Sequence, residues 1–424
     1  MLFYCSSFST NYTFNFVNNM KKFVFLIPAL LMLFVSNSCK KIDDPVFPPI
    51  NGNPGSTNYS SALDVFIKDK MKNAKIPGLA LAVIRNHKID FIKGYGTSRV
   101  DNGNDSIPVT ANTTFYTGNL VRPILATMAL QLHEERKLDI DADVNQYLPV
   151  DLQVANPSYP TAPITLRMLV SRASTIIDNP SAMTTYFDTD SDSNFELDVC
   201  LKDCVVPTGN YFAGSYDLTN KPGRVFNESK MALALAGYVI ERVSKINVDH
   251  YANAFIWNKL GTFNQSWFLH GIEDKDISHP FHDYGVGPLE LKNYGAAYYP
   301  GCQLRINVEH LSRYWLSVVE KGSYGTQKIV EDTTLTKMRS LAYPTYSNVD
   351  ATGMMLDNAI MTNFNLMGVS ASIPGAGINA NEVGYCNRMY YEPTTGIGVI
   401  ILTNSDGADV TVDEILNQVF MAAQ

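Results

Sequence analysis

The stretch Phe115–Leu132, FYTGNLVRPILATMALQL, constrains the fold most, because its apolar residues fall along one line of a helix. Leu120, Val121, Ile124, Leu125, Met128 and Leu132 recur at helical spacing, which predicts an amphipathic helix with one face turned into a core. Asn119 stands where an N-cap belongs, and Asp139, Asp141 and Asp143 mark the loop that follows.

Around this helix the periodicities change twice. Leu63, Phe66, Ile67 and Met71 predict a helix over Ser60–Lys75, which Ile76-Pro77 ends. Leu79–Ile84 is a continuous apolar run suited to a buried strand, and Ile89–Tyr95 follows the turn Arg85–Lys88 as its hairpin partner. Pro180–Leu218, rich in Asp, Ser and Thr, reads as loop and local elaboration. Helical patterns return over Met231–Val243, His250–Leu260 and Val308–Lys321. Strands are expected at Asn363–Val369, Glu382–Glu392 and Gly396–Leu402, with a last helix over Val410–Phe420. Strands at both ends with helices between them predict an α/β (α+β) domain over 59–424. Its sheet is built from the two termini, terminal helices lie on one face, and a helical subdomain is inserted.

The chain has 424 residues, 46% of them apolar, which is ample for a large core. A net charge of −8 argues against nucleic acid as a partner. The N-terminal region has its own grammar. Met20-Lys21-Lys22 precedes the apolar run Phe23–Val35, which falls short of the ~20 residues a spanning helix needs. Ser36-Asn37-Ser38-Cys39 follows. This pattern resembles a bacterial lipoprotein signal, which implies translation from Met20 and lipidation of Cys39 after cleavage. Residues 1–39 are then a signal region and 40–58 a Pro/Gly/Asn-rich tether. The expected location is the bacterial outer membrane, on its periplasmic or cell-surface face. Of the remaining cysteines, Cys200, Cys204, Cys302 and Cys386, the pairing is open, two disulfides being one option. No metal site is expected, since Cys200 and Cys204 lack a second ligand pair, and His279-Pro280-Phe281-His282-Asp283 reads as a polar loop. No cofactor is implied.

Three further stretches resemble one another's counterparts in a single family: IPGLALAVIRNHKIDFIKGYG near the start, ITLRMLVSRAST at Ile164–Thr175, and YYEPTTGIGVIILTNSD near the end. They are similar to the serine beta-lactamase and penicillin-binding-protein superfamily, in the branch with class C beta-lactamases, D-alanyl-D-alanine carboxypeptidases and esterases. That resemblance implies three catalytic motifs. The first, S-x-x-K at the mouth of the central helix, supplies a serine nucleophile and a lysine base; here the register reads Asn119-Leu120-Val121-Arg122. The second, Y-x-N after P-G-x-x-F, reads Glu228-Ser229-Lys230 after Pro222-Gly223-Arg224-Val225-Phe226. The third, K-T-G or H-x-G on a strand edging the site, is matched to Val369-Ser370-Ala371. In the stretch at Ile164–Thr175, Arg172 and Thr175 replace the family's histidine and glycine.

Arginine stays protonated and is no substitute base, and an asparagine amide is no ready nucleophile. The resemblance therefore predicts the family's scaffold without its catalytic residues. Arg122, Glu228, Lys230 and Ser370 become candidate binding residues, with Arg122 and Glu228 expected to form an ion pair filling the old pocket. The role expected is binding of a peptide, a peptidoglycan fragment or an envelope protein. The alternatives are an active hydrolase of esterase, peptidase or beta-lactamase type with a non-standard residue set, and a purely structural envelope component.

Overall fold

Strand β1, Gly78–Arg85, is paired on both sides, so its two faces build two separate cores. In this computed structural model the described residues are 59, 61–101, 105–319, 321–339, 341–343, 352–353, 376–392 and 394–424. The signal region, Cys39, the tether, the expected strand Asn363–Val369 and the site candidates Val369, Ser370 and Ala371 lie outside them.

Helix α1, Ser61–Asn73, leads into β1, which turns back as β2, Lys88–Val100, followed by the short β3, Ser106–Pro108. Helix α2, Arg122–Glu134, is the central helix. Helices α3, Lys230–Ser244, and α4, Val308–Val319, belong to the same helical core. The chain then returns to the sheet as β4, Ala376–Glu382, β5, Tyr385–Glu392, and β6, Ile397–Thr403, and ends in α5, Asp409–Ala423. The sheet order is β4-β5-β6-β1-β2-β3, every neighbouring pair antiparallel, so first and last strands meet at its centre with Leu79 opposite Thr403.

The alternation along β1 separates the two cores. Leu79, Leu81 and Val83 face Leu63, Ile67 and Met71 of α1 and Val412, Ile415, Val419 and Phe420 of α5. Ala80, Ala82 and Ile84 face the helical side, where small side chains let α4 lie close against the strand. The expected antiparallel sheet from both termini, with terminal helices on one face, is thus present.

Several local expectations change. The Pro180–Leu218 region contains two helices, Pro180–Thr185 and Leu197–Val205, the first capped by Asn179, whose side chain accepts from the amides of Ser181 and Ala182. The expected strand Glu382–Glu392 is a hairpin turn plus a strand, because Gly384 adopts φ +73 and reverses the chain between β4 and β5. The four described cysteines, Cys200, Cys204, Cys302 and Cys386, are buried free thiols. No helix among the described residues is long and apolar enough to cross a membrane.

His310 on α4 is 4% exposed, with its Nδ1 3.2 Å from Asn307 Nδ2. Burial, helped by the nearby Arg313 charge, lowers its pKa from 6.5 to about 4. Between those values the unfolded chain binds the proton and the folded one does not. The contribution of neutral His310 is therefore complete above about pH 6.5 and is lost as pH falls towards 4, on the order of 3 kcal/mol in all. Thermal melts between pH 5 and 7 should show a slope in the wild type that His310→Gln flattens.

Candidate functional site

The approach to α2 decides what stands at its mouth. Strand Thr114–Tyr116 pairs with Arg305–Asn307, and the Thr117 hydroxyl donates to the Leu304 carbonyl at 2.7 Å, anchoring the chain just before the turn. Gly118 then takes φ +54, and Gly118–Val121 form one 3-10 turn that runs into α2 at Arg122. Asn119 is consequently not the N-cap of α2; Val121 holds that position, with no side-chain cap. The Asn119 amide instead donates to Glu228 Oε1.

Glu228 has a second partner that was not singled out from sequence. Its Oε1 lies 3.4 Å from Arg172 Nη1, and its charge also acts on the buried Arg122. Arg122 is 1% exposed; burial lowers its pKa to about 10, and the Glu228 charge works in the opposite direction. Arg172 is buried too, stacks 4.3 Å over the Phe226 ring, and is pushed well down by burial and by the Arg122 charge. The side chain of Glu228 is 47% exposed, so this network opens to solvent at the carboxylate. Arg172 and Thr175 both adopt left-handed backbone, φ +62 and +69. A β-branched residue is unfavourable there, which explains why the family pattern has glycine at the position of Thr175. The Thr175 hydroxyl accepts from buried Asn156 Nδ2 at 2.8 Å, which helps to hold the turn.

The segment bearing Glu228, Ser229 and Lys230 is pinned by Asp178. Its carboxylate accepts from Ser229 Oγ at 2.7 Å and from the amides of Lys230 and Met231, each at 3.0 Å. Ser229 Oγ also caps α3 by accepting from the Ala232 amide at 3.0 Å. That hydroxyl is therefore engaged structurally on both sides.

Lys230 reaches the far wall of the site and pairs with Glu382 at the end of β4. Burial opposes the Lys230 charge, but the Glu382 carboxylate overrides it and keeps the ammonium more firmly protonated than usual. Glu382 is almost entirely buried, and its side chain packs where a Cβ on Gly118 would stand, 2.6 Å from Glu382 Cγ. Only glycine meets both that contact and φ +54 at position 118. Behind the pair, burial pushes the Cys302 thiol up to about 12, so it is protonated at neutral pH. Two buried acceptors, Asn119 Oδ1 and Glu382 Oε1, have no donor among the described residues.

The fold thus brings Asn119, Arg122, Glu228 and Lys230 together and adds Arg172, Asp178 and Glu382. These last three were not singled out as site residues from sequence. Glu382 carried one signal, the following Val383-Gly384 turn; the contact of Asp178 with the head of α3 carried none, because 52 positions separate it from Lys230. Chemically the site holds three cations, Arg122, Arg172 and Lys230, among three carboxylates, Asp178, Glu228 and Glu382, so an anionic or amide group is gripped by exchange with one of these partners. Among the described residues it offers no neutral base: guanidinium does not give up its proton, and Lys230 is kept charged.

Known proteins share this architecture. The profile of the beta-lactamase family matches residues 63–420. Protein flp of Staphylococcus aureus (strain MRSA252) is 27% identical over 194 residues, covering 45% of this chain but 34% of that protein. The chain thus spans about a third of that curated relative's length. The octameric penicillin-binding protein homologue from Pyrococcus abyssi superposes with a TM-score of 0.65 at 21% identity, over 85% of this chain and 76% of that one. A class C beta-lactamase gives 0.67 at 16% identity, over 87% and 98%. At those identities the structural likeness shows the fold alone.

Lys230→Met leaves the buried Glu382 carboxylate unpaired and should cost about 3–5 kcal/mol in urea unfolding. Combining it with Glu382→Leu should recover most of that loss, and the double-mutant cycle measures the coupling.

Proposed function

This chain belongs to the beta-lactamase family, and we propose that within it the chain serves as a binding protein, with no acyl transfer at the ancestral site. The ligand we propose is a peptide or peptidoglycan fragment bearing a carboxylate, which exchanges with Glu228 on Arg172 while its N–H groups meet Asn119 Oδ1 and Glu382 Oε1. One observation carries the reading. At the helix mouth where the family resemblance places a serine and a lysine, Asn119 is bonded to Glu228, and Arg122 is buried as a cation. Loss of a serine nucleophile costs on the order of 10⁶ in rate in a comparable hydrolase. Exchange of one carboxylate for another on a guanidinium needs no base and no nucleophile.

We further propose that Cys39 carries a lipid anchor and that residues 40–58 hold the domain off a bacterial outer membrane. The basic, apolar and small-residue order of Met20–Cys39 supports this. Cys39→Ser should move the protein from the membrane to the soluble fraction on cell fractionation.

The catalytic question is tested on the purified mature protein with a fluorescent penicillin and a fluorophosphonate, read by intact mass, beside nitrocefin and p-nitrophenyl ester turnover. The expected result is an unmodified mass and no turnover. A stoichiometric adduct would overturn the reading, and its position would identify the nucleophile of an active hydrolase. Binding is read with a D-Ala-D-Ala peptide and its C-terminal amide: the free acid should bind, and Arg172→Ala should abolish the difference between them.

A further inference from the structure

A second cleft, of about 490 Å³, opens at the other end of α3. Glu241 lies eleven positions beyond Lys230 on that helix, so about 16 Å separates the two along its axis. The lining includes four carboxylates and neither lysine nor arginine. Asp192 is taken by the His270 ring at 2.6 Å and by the Leu269 amide at 2.7 Å, and Asp198 has Lys202 at 3.2 Å. The deeper groups are different.

Glu241 Oε1 accepts from the Tyr299 hydroxyl at 2.5 Å and from the Val248 amide at 3.0 Å. No donor among the described residues reaches its other oxygen. Gln303, 2% exposed, donates through Nε2 to the Ala296 carbonyl at 2.6 Å, which fixes which end of the amide is oxygen. Its Oε1 has no donor among the described residues. A buried orphan acceptor is unfavourable and is normally answered by a donor. The Phe268 and Tyr299 rings, 4.7 Å apart, supply an aromatic wall to the same cleft, and Phe195 at its edge is 45% exposed.

We propose that this cleft binds a small organic cation, a primary ammonium on an aromatic or aliphatic body, with its N–H groups on Glu241 and Gln303. The acid-lined cavity selects the charge, the unanswered Gln303 Oε1 calls for an N–H donor, the partly buried Glu241 carboxylate can take another, and the rings accept the apolar body and add cation–π attraction. The surplus of carboxylates works against an anion here, which separates this site from the arginine-rich helix mouth.

The test is isothermal titration of the mature protein with benzylammonium, benzyltrimethylammonium and benzyl alcohol. Benzylammonium should bind, benzyltrimethylammonium should bind at least about tenfold more weakly because it has charge without N–H, and benzyl alcohol should not compete. Glu241→Gln should weaken benzylammonium by about tenfold or more, whereas Arg172→Ala at the other site should leave it unchanged. Absence of benzylammonium binding, or equal binding of the trimethylated cation, would overturn the proposal. Should Glu241→Gln fail to fold, the three-ligand comparison on the wild type decides alone.

Discussion

A carboxylate buried at the end of a strand cannot be left without a counter-charge, and the candidate site is arranged around that requirement. Glu382 closes β4, lies against the bare Cα of Gly118, and pairs with Lys230 at the head of α3. Three parts of the chain are thereby held in one register: the turn into α2, the start of α3 and the edge hairpin of the sheet. The pair is costly to form from water, so its retention ties β4 to the helical core more tightly than apolar contact alone would. Asp178 acts in the same sense on the other side, where three donors from the head of α3 converge on one carboxylate.

The same groups determine what chemistry is available. A nucleophilic serine needs a nearby acceptor for its proton, and a lysine can serve only when its surroundings favour the neutral amine. Here the nearest carboxylate does the opposite to Lys230, and the residue at the helix mouth is an arginine. Two buried guanidinium groups, Arg122 and Arg172, lie near the half-exposed Glu228 carboxylate, and the proposed exchange with an incoming anion rests on them. The fold is the family's, and the proposed function rests on these particular residues.

The cleft beyond the C-terminal half of α3 has the reverse polarity. It uses the same helix, but its walls come from the Leu197–Val205 helix and the segments around Phe268 and Tyr299, which the periodicity of the sequence did not resolve. A single rigid helix thus carries a region of paired cations and carboxylates at its head and an acid-rich, aromatic one towards its tail. The separation of about 16 Å exceeds the Debye length at physiological salt, so the two are electrostatically nearly independent.

Much of the scaffold was legible from the chain alone, because burial imposes periods that residues must obey locally. The continuous apolar run of β1, the apolar line of α2 and the helices at both ends are one-dimensional consequences of which side chains leave water. Asn119, Arg122, Glu228 and Lys230 were picked out from the flanks that resemble the family, which set a register for them. What the sequence did not contain was the choice of partner. Arg122 was the arginine expected opposite Glu228, and the fold adds Arg172, whose guanidinium also lies over the Phe226 ring. Glu382 and Asp178 entered the site from 152 and 52 positions away along the chain. Local patterns therefore determined the elements and their buried faces. Partners for the charges were decided only in the tertiary structure, because a charge pairs with whatever the packed chain brings within a few ångströms of it.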